Sequence, residues 1–216
     1  MARTFSSGYA SANIAVPTGY PFTMFIRGYT TSNSARQVAL SLMVGSGDAY
    51  NGSLVFFDGT LGGDPVRFSK FGGVVADSSG GYSINTWHAL AGRAISATAL
   101  DVSIDGTKTA GASTSVSFKT ITTLQIGARA NPSIDSPMAG ACACAAIWDA
   151  QLDDAELVSL AKGFSPRRIR PQSLKLYVPM VRALATPFWS VAATTPTFTD
   201  TVGTSTPSAH PRSYGV

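Results

Sequence analysis

Glutamate is almost absent from this chain: Glu156 is the only one among 216 residues. Charged residues of all kinds make up 13%, about half the usual share. A retaining glycosidase needs two carboxylates facing one another. Here the one glutamate stands beside Asp153 and Asp154 in a helix-like stretch, so that inventory is lacking. Histidine is nearly as scarce, with His88 and His210 alone, and no Gly-x-Ser-x-Gly elbow accompanies them. Serine-nucleophile hydrolysis therefore has no recognisable machinery. Cysteine is limited to Cys142 and Cys144. Two residues apart on a strand, their side chains should share one face, where a mutual bridge would require the strand to buckle. Small neighbours Ala141, Ala143 and Ala145 mark them as buried free thiols. Two histidines and no second cysteine pair leave zinc without ligands. No apolar run approaches the ~20 residues of a membrane-spanning helix, and Met1–Phe5 carries no signal-like region. The expectation is a non-enzymatic protein assembled in a cytoplasm, with no cofactor and no membrane partner.

What is present is alternation. Phe22, Met24 and Ile26 alternate with Thr23, Phe25 and Arg27, and Val38, Leu40, Leu42 and Val44 repeat the pattern. Leu54-Val55-Phe56-Phe57 ends at Asp58-Gly59, and Leu100, Val102 and Ile104 lead into Asp105-Gly106, a hairpin-turn dipeptide. Period-2 runs between Gly, Asp, Asn and Ser clusters are half-buried antiparallel strands. With 44% hydrophobic residues, about a dozen such strands predict an all-β, two-sheet sandwich. Trp87, in step with Ala89 and Ala91, is expected to point inward between the sheets.

One stretch breaks the strand pattern. Asp153 and Glu156 have the spacing of a capping box, and Leu157, Leu160 and Ala161 then share one helical face. Gly163 supplies a left-handed stop and Pro166 forbids continuation. This predicts one short helix near residues 153–162, with Trp148 packed beneath it.

The ordered set Asn85-Thr86-Trp87-His88, Val102-Ser103-Ile104-Asp105-Gly106, Leu124-Gln125-Ile126-Gly127 and Ile147-Trp148-Asp149…Leu152–Leu157 resembles the concanavalin A-like, laminin-G-like jelly rolls. Arg3-Thr4-Phe5 and Pro21-Phe22-Thr23-Met24 are similar to that family's first strands. The run Leu160–Pro166 into Arg170–Leu174, with Ala209-His210-Pro211-Arg212 near the end, looks like versions found in tailed-bacteriophage virion proteins. The resemblance implies a virion structural protein, first of all a capsid decoration or cement protein on the outer head. The competing reading is a carbohydrate-binding adhesion module of a phage tail or head fibre, which aromatic residues exposed on one sheet would favour. Laminin-G-like modules often hold calcium, for which Asp58, Asp105 and Asp135 are the candidates. That ion takes six to eight oxygens and no clustered acidic loop supplies them, so each aspartate reads as a turn former.

The resemblance covers residues 3–182, and the sandwich is assigned to 1–182. Residues 183–216 hold Pro187, Pro196, Pro207 and Pro211 without periodicity, yet carry Phe188, Trp189, Phe198 and Tyr214. Such a tail is expected to dock. The net charge of +4 comes from scarcity of acid, and Arg167, Arg168 and Arg170 form its one cluster. It lacks aromatics spaced to stack bases, so nucleic acid is not the expected partner. The predicted partner-binding residues are Arg167, Arg168, Arg170, Phe188, Trp189, Phe198 and Tyr214. Major capsid protein or other virion subunits, further copies of this chain, and a host-surface glycan are the partners considered.

Overall fold

Alternating side chains fold here into two packed antiparallel sheets. The computed structural model describes residues 2–45, 52–111, 115–130, 133–180, 198–201 and 206–208. The first strands are β1 (Ala2–Ser6), β2 (Tyr9–Asn13), β3 (Phe22–Thr30), β4 (Arg36–Met43) and β5 (Gly52–Asp58). Then come β6 (Pro65–Lys70), β7 (Val74–Gly81), β8 (His88–Ala94), β9 (Leu100–Ile104), β10 (Thr107–Ala110) and β11 (Thr123–Ile126). A small hairpin, β12 (Arg129–Ala130) with β13 (Ile134–Asp135), precedes the long strand β14 (Ala139–Trp148). Helix α1 (Asp154–Ala161), β15 (Leu174–Pro179), β16 (Thr199–Thr201) and β17 (Thr206–Ser208) follow. One sheet runs β10-β9-β8-β3-β14-β1-β17, with β15 also on β14; the other runs β16-β2-β11-β4-β5-β6-β7. No described helix is long and apolar enough to cross a membrane.

Between the sheets lies the main core, with Phe22, Met24 and Ile26 from β3, Leu40 and Leu42 from β4, and Leu100, Val102 and Ile104 from β9. Their alternation places every second residue inward, as the sequence predicts. Asp105 and Gly106 both have positive φ, 51° and 85°, and Ile104 pairs directly with Thr107 across them. This is the two-residue turn that matches the twist of its strands.

Register shifts interrupt four of the ladders, and two of them, on β14 and β4, override the alternation of residues named above. On β14, Cys142 pairs with Gly28 but Cys144 pairs with the adjacent Arg27, so Ala143 is an extra residue. An inserted residue reverses which face later side chains occupy. Cys142 therefore lies in the main core and Cys144 in a second cluster outside it. The expected shared face for the two thiols is thus corrected, while both are free and buried. On β4, Val38 pairs with Phe56 and Leu40 with the next residue, Val55. Val38 is thereby turned to the outer face with Met43, Leu54 and Phe56, away from Leu40 and Leu42.

Helix α1 covers the outer face of the first sheet. Asp153 accepts from the Glu156 N–H at 2.8 Å, and Glu156 accepts from the Asp153 N–H at 2.7 Å, the reciprocal capping box. Leu157 and Leu160 face down onto Phe25, Ala89, Ala91 and Trp148. The Trp148 Nε1–H donates to the Ile169 carbonyl at 2.8 Å, so the buried indole is satisfied. The helix ends at Gly163, with φ of 93°.

Part of the tail belongs to the sandwich. β16 pairs with β2 at the edge of one sheet, and β17 pairs with β1 at the edge of the other. Phe198 is buried in the main core.

Candidate functional site

Trp87 stands on the outside of its sheet. The β8 residues that reach the main core are Leu90 and Ala94, whereas Ala89 and Ala91 belong to the cluster under α1. Trp87 is in step with the latter, so its expected inward placement is corrected. Period-2 parity was read properly, but the sequence alone does not say which parity is inside when both faces are apolar. Beyond the helix, the half-buried Trp87 ring meets the half-buried Tyr29 ring edge to face, with centroids 4.8 Å apart. Tyr29 follows Gly28, whose Cα faces Met138 and Cys142 of the main core, so it too points outward. The approach to Trp87 is fixed by Asn85, with φ of 58°, whose N–H donates to the Thr30 carbonyl at 2.8 Å.

Charged and polar residues adjoin this aromatic pair along the chain: His88 follows Trp87, and Arg27 stands two before Tyr29. Asp105, half exposed in the β9–β10 turn, accepts from the Ala89 N–H at 2.8 Å and lies 2.7 Å from His88 Nδ1. Burial alone would push the Asp105 carboxyl up. The bonds from His88 and Ala89 and the nearby charges of His88 and Arg27 outweigh it and hold the carboxyl below the usual range. The Ser83 N–H donates to His88 Nε2 at 3.1 Å. Nε2 also lies 3.2 Å from the Ser83 carbonyl, so with Asp105 on Nδ1 both ring nitrogens are engaged. His88 thus braces a loop and has no free base position for catalysis. Arg27 donates through Nη1 to the Ala161 carbonyl at the helix end, 3.3 Å away. Its Nε is buried without a hydrogen-bond partner among the described residues. Arg27 and Tyr29 thus stand two residues apart on the outward side of β3, and Asp105 lies close enough to Arg27 to feel its charge. Such a surface suits a ring with an apolar face and hydroxyl edges.

The predicted docking residues are dispersed. Arg167 and Arg168 are exposed on a 3-10 turn, Pro166–Arg168. Arg170 grips Glu156 with Nε and Nη2, at 3.0 and 2.7 Å, and donates to the Gln151 carbonyl at 2.8 Å. It locks the helix start. Phe198 fills its own core, which corrects its expected role in contacting other subunits: the edge strands β16 and β17 bring it inside. Phe188, Trp189 and Tyr214 lie outside the described residues.

The calcium candidates do not converge. Asp58 is buried against Thr60, Arg67 and Arg36, Asp135 pairs with Arg129, and Asp105 serves His88 and Ala89. Among the described residues no three His, Cys, Asp or Glu side chains gather as metal ligands. Asp101 on β9 and Asp105 in the turn that follows stand four residues apart. Arg93 holds the first through a fork of two 2.7 Å bonds, and His88 holds the second. Tyr29 was missed in the sequence. Its signal was its parity with Phe25, since both stand opposite the inward Ile26.

No family model matches the sequence, and a search of curated proteins gives no match. Solved structures do match. The CBM40 module of Ruminococcus gnavus IT-sialidase, bound to alpha2,3 sialyllactose, superposes with a TM-score of 0.56 at 16% identity, over 65% of this chain and 82% of that one. A protein of Bacteroides ovatus ATCC 8483, named as a "putative carbohydrate binding protein", has a TM-score of 0.65 at 16% identity. That match covers 95% of this chain but 59% of the other. The native heptameric SAP-like pentraxin of Limulus polyphemus has a TM-score of 0.52 at 9% identity, over 74% and 81%. The fold is a jelly-roll sandwich of the concanavalin A-like kind. At these identities the likeness establishes the fold alone.

Proposed function

We propose that this chain is a non-catalytic carbohydrate-binding module that stacks a sugar ring on Trp87 and Tyr29. The observation that carries the reading is the half-buried, edge-to-face aromatic pair on an outer sheet face, with Asp105 held by His88, the residue after Trp87. An indole presents a flat apolar surface to the C–H face of a sugar, and a carboxylate accepts from its hydroxyls through charge-assisted bonds. The Ruminococcus gnavus module and the Bacteroides ovatus protein lend support through their fold and the ligand or role in their names. Binding is preferred to catalysis because the ionisable groups are committed elsewhere. Glu156 caps α1 and pairs with Arg170, Asp101 holds Arg93, and His88 Nε2 is occupied by Ser83.

A virion setting is a proposal on the phage-like stretch Leu160–Leu174 alone. An adhesion module of a tail or head fibre joins it to glycan recognition, and capsid decoration has no separate observation behind it.

Binding of the full chain to an immobilised glycan panel tests the reading. Trp87→Ala and Tyr29→Ala should each weaken retention about tenfold or more, a loss of at least ~1.4 kcal/mol, without unfolding the domain. Retention unchanged in both variants would remove this face from the function.

A further inference from the structure

Helix α1 has a second surface at its other end. Its Ala161 end lies by Arg27, whereas its Asp154 end borders an open cleft of about 680 Å³ beside β9 and β10. Small-ligand pockets span about 300–1,000 Å³. The floor is Arg93, which is 2% exposed. It forks onto Asp101 and also reaches the Leu152 carbonyl at 2.6 Å and Asp154 at 2.9 Å. One wall is the turn at Ile95–Ala99. It is held from behind by Lys70, a fully buried ammonium that donates to the Ser96 and Ala97 carbonyls at 2.9 and 2.7 Å. The other wall is the capped start of α1. At the mouth, Lys108 and Asp154 pair at 2.9 Å, with side chains 40% and 57% exposed.

We propose that this cleft is a second ligand site, taking an uncharged polyhydroxyl ligand such as a neutral oligosaccharide. It rests on the carbohydrate reading above for the class of ligand, and not on the Trp87 face. Two cations, Arg93 and Lys108, line it against three carboxylates, Asp101, Asp153 and Asp154. Each is already paired, Asp101 with Arg93, Asp154 with Arg93 and Lys108, and Asp153 with Arg170, so a charged ligand finds no unpaired counter-charge among them. The exposed Lys108–Asp154 pair offers a donor and an acceptor side by side. Adjacent hydroxyls of a neutral sugar can accept from the first and donate to the second, both bonds charge-assisted. Ile95 and Ala110 supply apolar surface for the ring carbons. Floor and walls are fixed by buried bonds before any ligand arrives, which spares the cost of ordering them on binding.

Amide NMR titration of the full chain with lactose, cellotriose, maltotriose and N-acetylneuraminic acid tests this. A neutral sugar should give saturable shifts at Thr98, Ala99, Lys108, Ala110 and Gly111. Lys108→Met should weaken them about tenfold or more, its spectrum otherwise reporting an intact fold, while Trp87→Ala should leave them in place. If only the amides around Trp87 respond, the cleft is no site and the platform stands. If Lys108→Met binds as well as the parent, or the acidic sugar binds the cleft better than any neutral one, the neutral clamp is wrong. If no sugar moves either region, the second site fails together with the carbohydrate reading.

Discussion

Cys142 and Cys144, two residues apart on β14, face opposite sides of their sheet. The extra residue Ala143 sends Cys142 toward Met138 in the main core, with Sγ 3.7 Å from Sδ, and Cys144 to the cluster beneath α1. A bridge between them would have to cross the strand, outside the reach of disulfide geometry. Burial pushes both thiols up, Cys144 to about 12. The thiolate is the reactive form, so iodoacetamide at mildly alkaline pH should leave both unlabelled in the native protein. Mass spectrometry should find both labelled in denaturant. Prompt native labelling at either would show that β14 opens.

The same burial predicts a loss of stability in alkali. Cys144 rises from 9.0, and Tyr20, Tyr82 and Tyr177 rise from 10.0, all to about 12. The unfolded chain releases these protons first, so between pH 9 and 12 it binds fewer protons than the native state. Stability then falls as pH rises through that window. Lys70, whose buried ammonium is pulled below its ordinary value, acts in the opposite sense but is one group against several. Tyr82 separates the effects, because its buried hydroxyl has no hydrogen-bond partner among the described residues. Tyr82→Phe removes an unsatisfied group and a raised pKa together. It should match or exceed the parent's urea midpoint at neutral pH and show a shallower alkaline decline. An equally steep decline would dismiss Tyr82 as a contributor.

Asp58 contributes to the acid side, as do Asp105 and Asp154, whose carboxyls are also held below the ordinary value. Burial would raise the Asp58 carboxyl, but bonds from Thr60 and Arg67, aided by the Arg36 charge, hold it below the ordinary value. On acidification the unfolded group takes a proton first. The stabilisation is therefore present above the ordinary carboxylate range and is lost as pH falls toward the folded pKa. Asp58→Asn should cost about 1.5–3 kcal/mol near neutrality, the scale of a hydrogen bond to a charged group. It should also flatten the acid limb of stability against pH. An unchanged acid limb would mean another carboxylate dominates.

The two tryptophans with structural assignments should respond oppositely to truncation. Trp148 is fully buried and hydrogen-bonded to Ile169, so Trp148→Ala should cost about 3–5 kcal/mol. Trp87→Ala gives up chiefly the edge-to-face contact with Tyr29, worth about 0.5–1.5 kcal/mol, and glycan retention with it. Calorimetry on both variants checks this. A Trp87→Ala loss as large as that of Trp148→Ala would return Trp87 to the core.

Local signals were legible in the sequence, and face assignments were less so. The capping box at Asp153 and Glu156, the stop at Gly163 and the Asp105-Gly106 turn depend on neighbours in sequence, and each formed where it was expected. Alternation likewise located β3, β4 and β9. It could not locate the bulges at Ala39 and Ala143, because an extra residue is visible only through the partner strand's register. Nor could it tell the inter-sheet core from the cluster under α1, because Leu90 and Ala91 are both buried on opposite faces of β8. The candidate site suffered from that ambiguity: Trp87 was noticed but turned the wrong way, and Tyr29 was not noticed. Phe198 was misread for a different reason. The strands that bring it home, β16 and β17, are three residues each and carry no period.

Phe198 decides whether the sandwich ends at Arg182. Its ring is 4% exposed within the inter-sheet core, and Thr199–Thr201 then pairs with β2 while Thr206–Ser208 pairs with β1. One segment thus closes the same side of both sheets. Without it, β1 and β2 become edges with unpaired backbone groups, a template for pairing with other chains. Phe198→Ala should cost about 3–5 kcal/mol, and a chain ending at Arg182 should be less stable still and should associate through the exposed edges. Thermal melting with size-exclusion chromatography measures both. If the shortened chain melts like the parent and stays monodisperse, the sandwich is complete without the segment, and 183–216 is free to dock elsewhere. If Phe198→Ala alone reproduces the defect, the ring matters more than the strand pairing. If only the truncation does, backbone closure of the edges is the larger contribution.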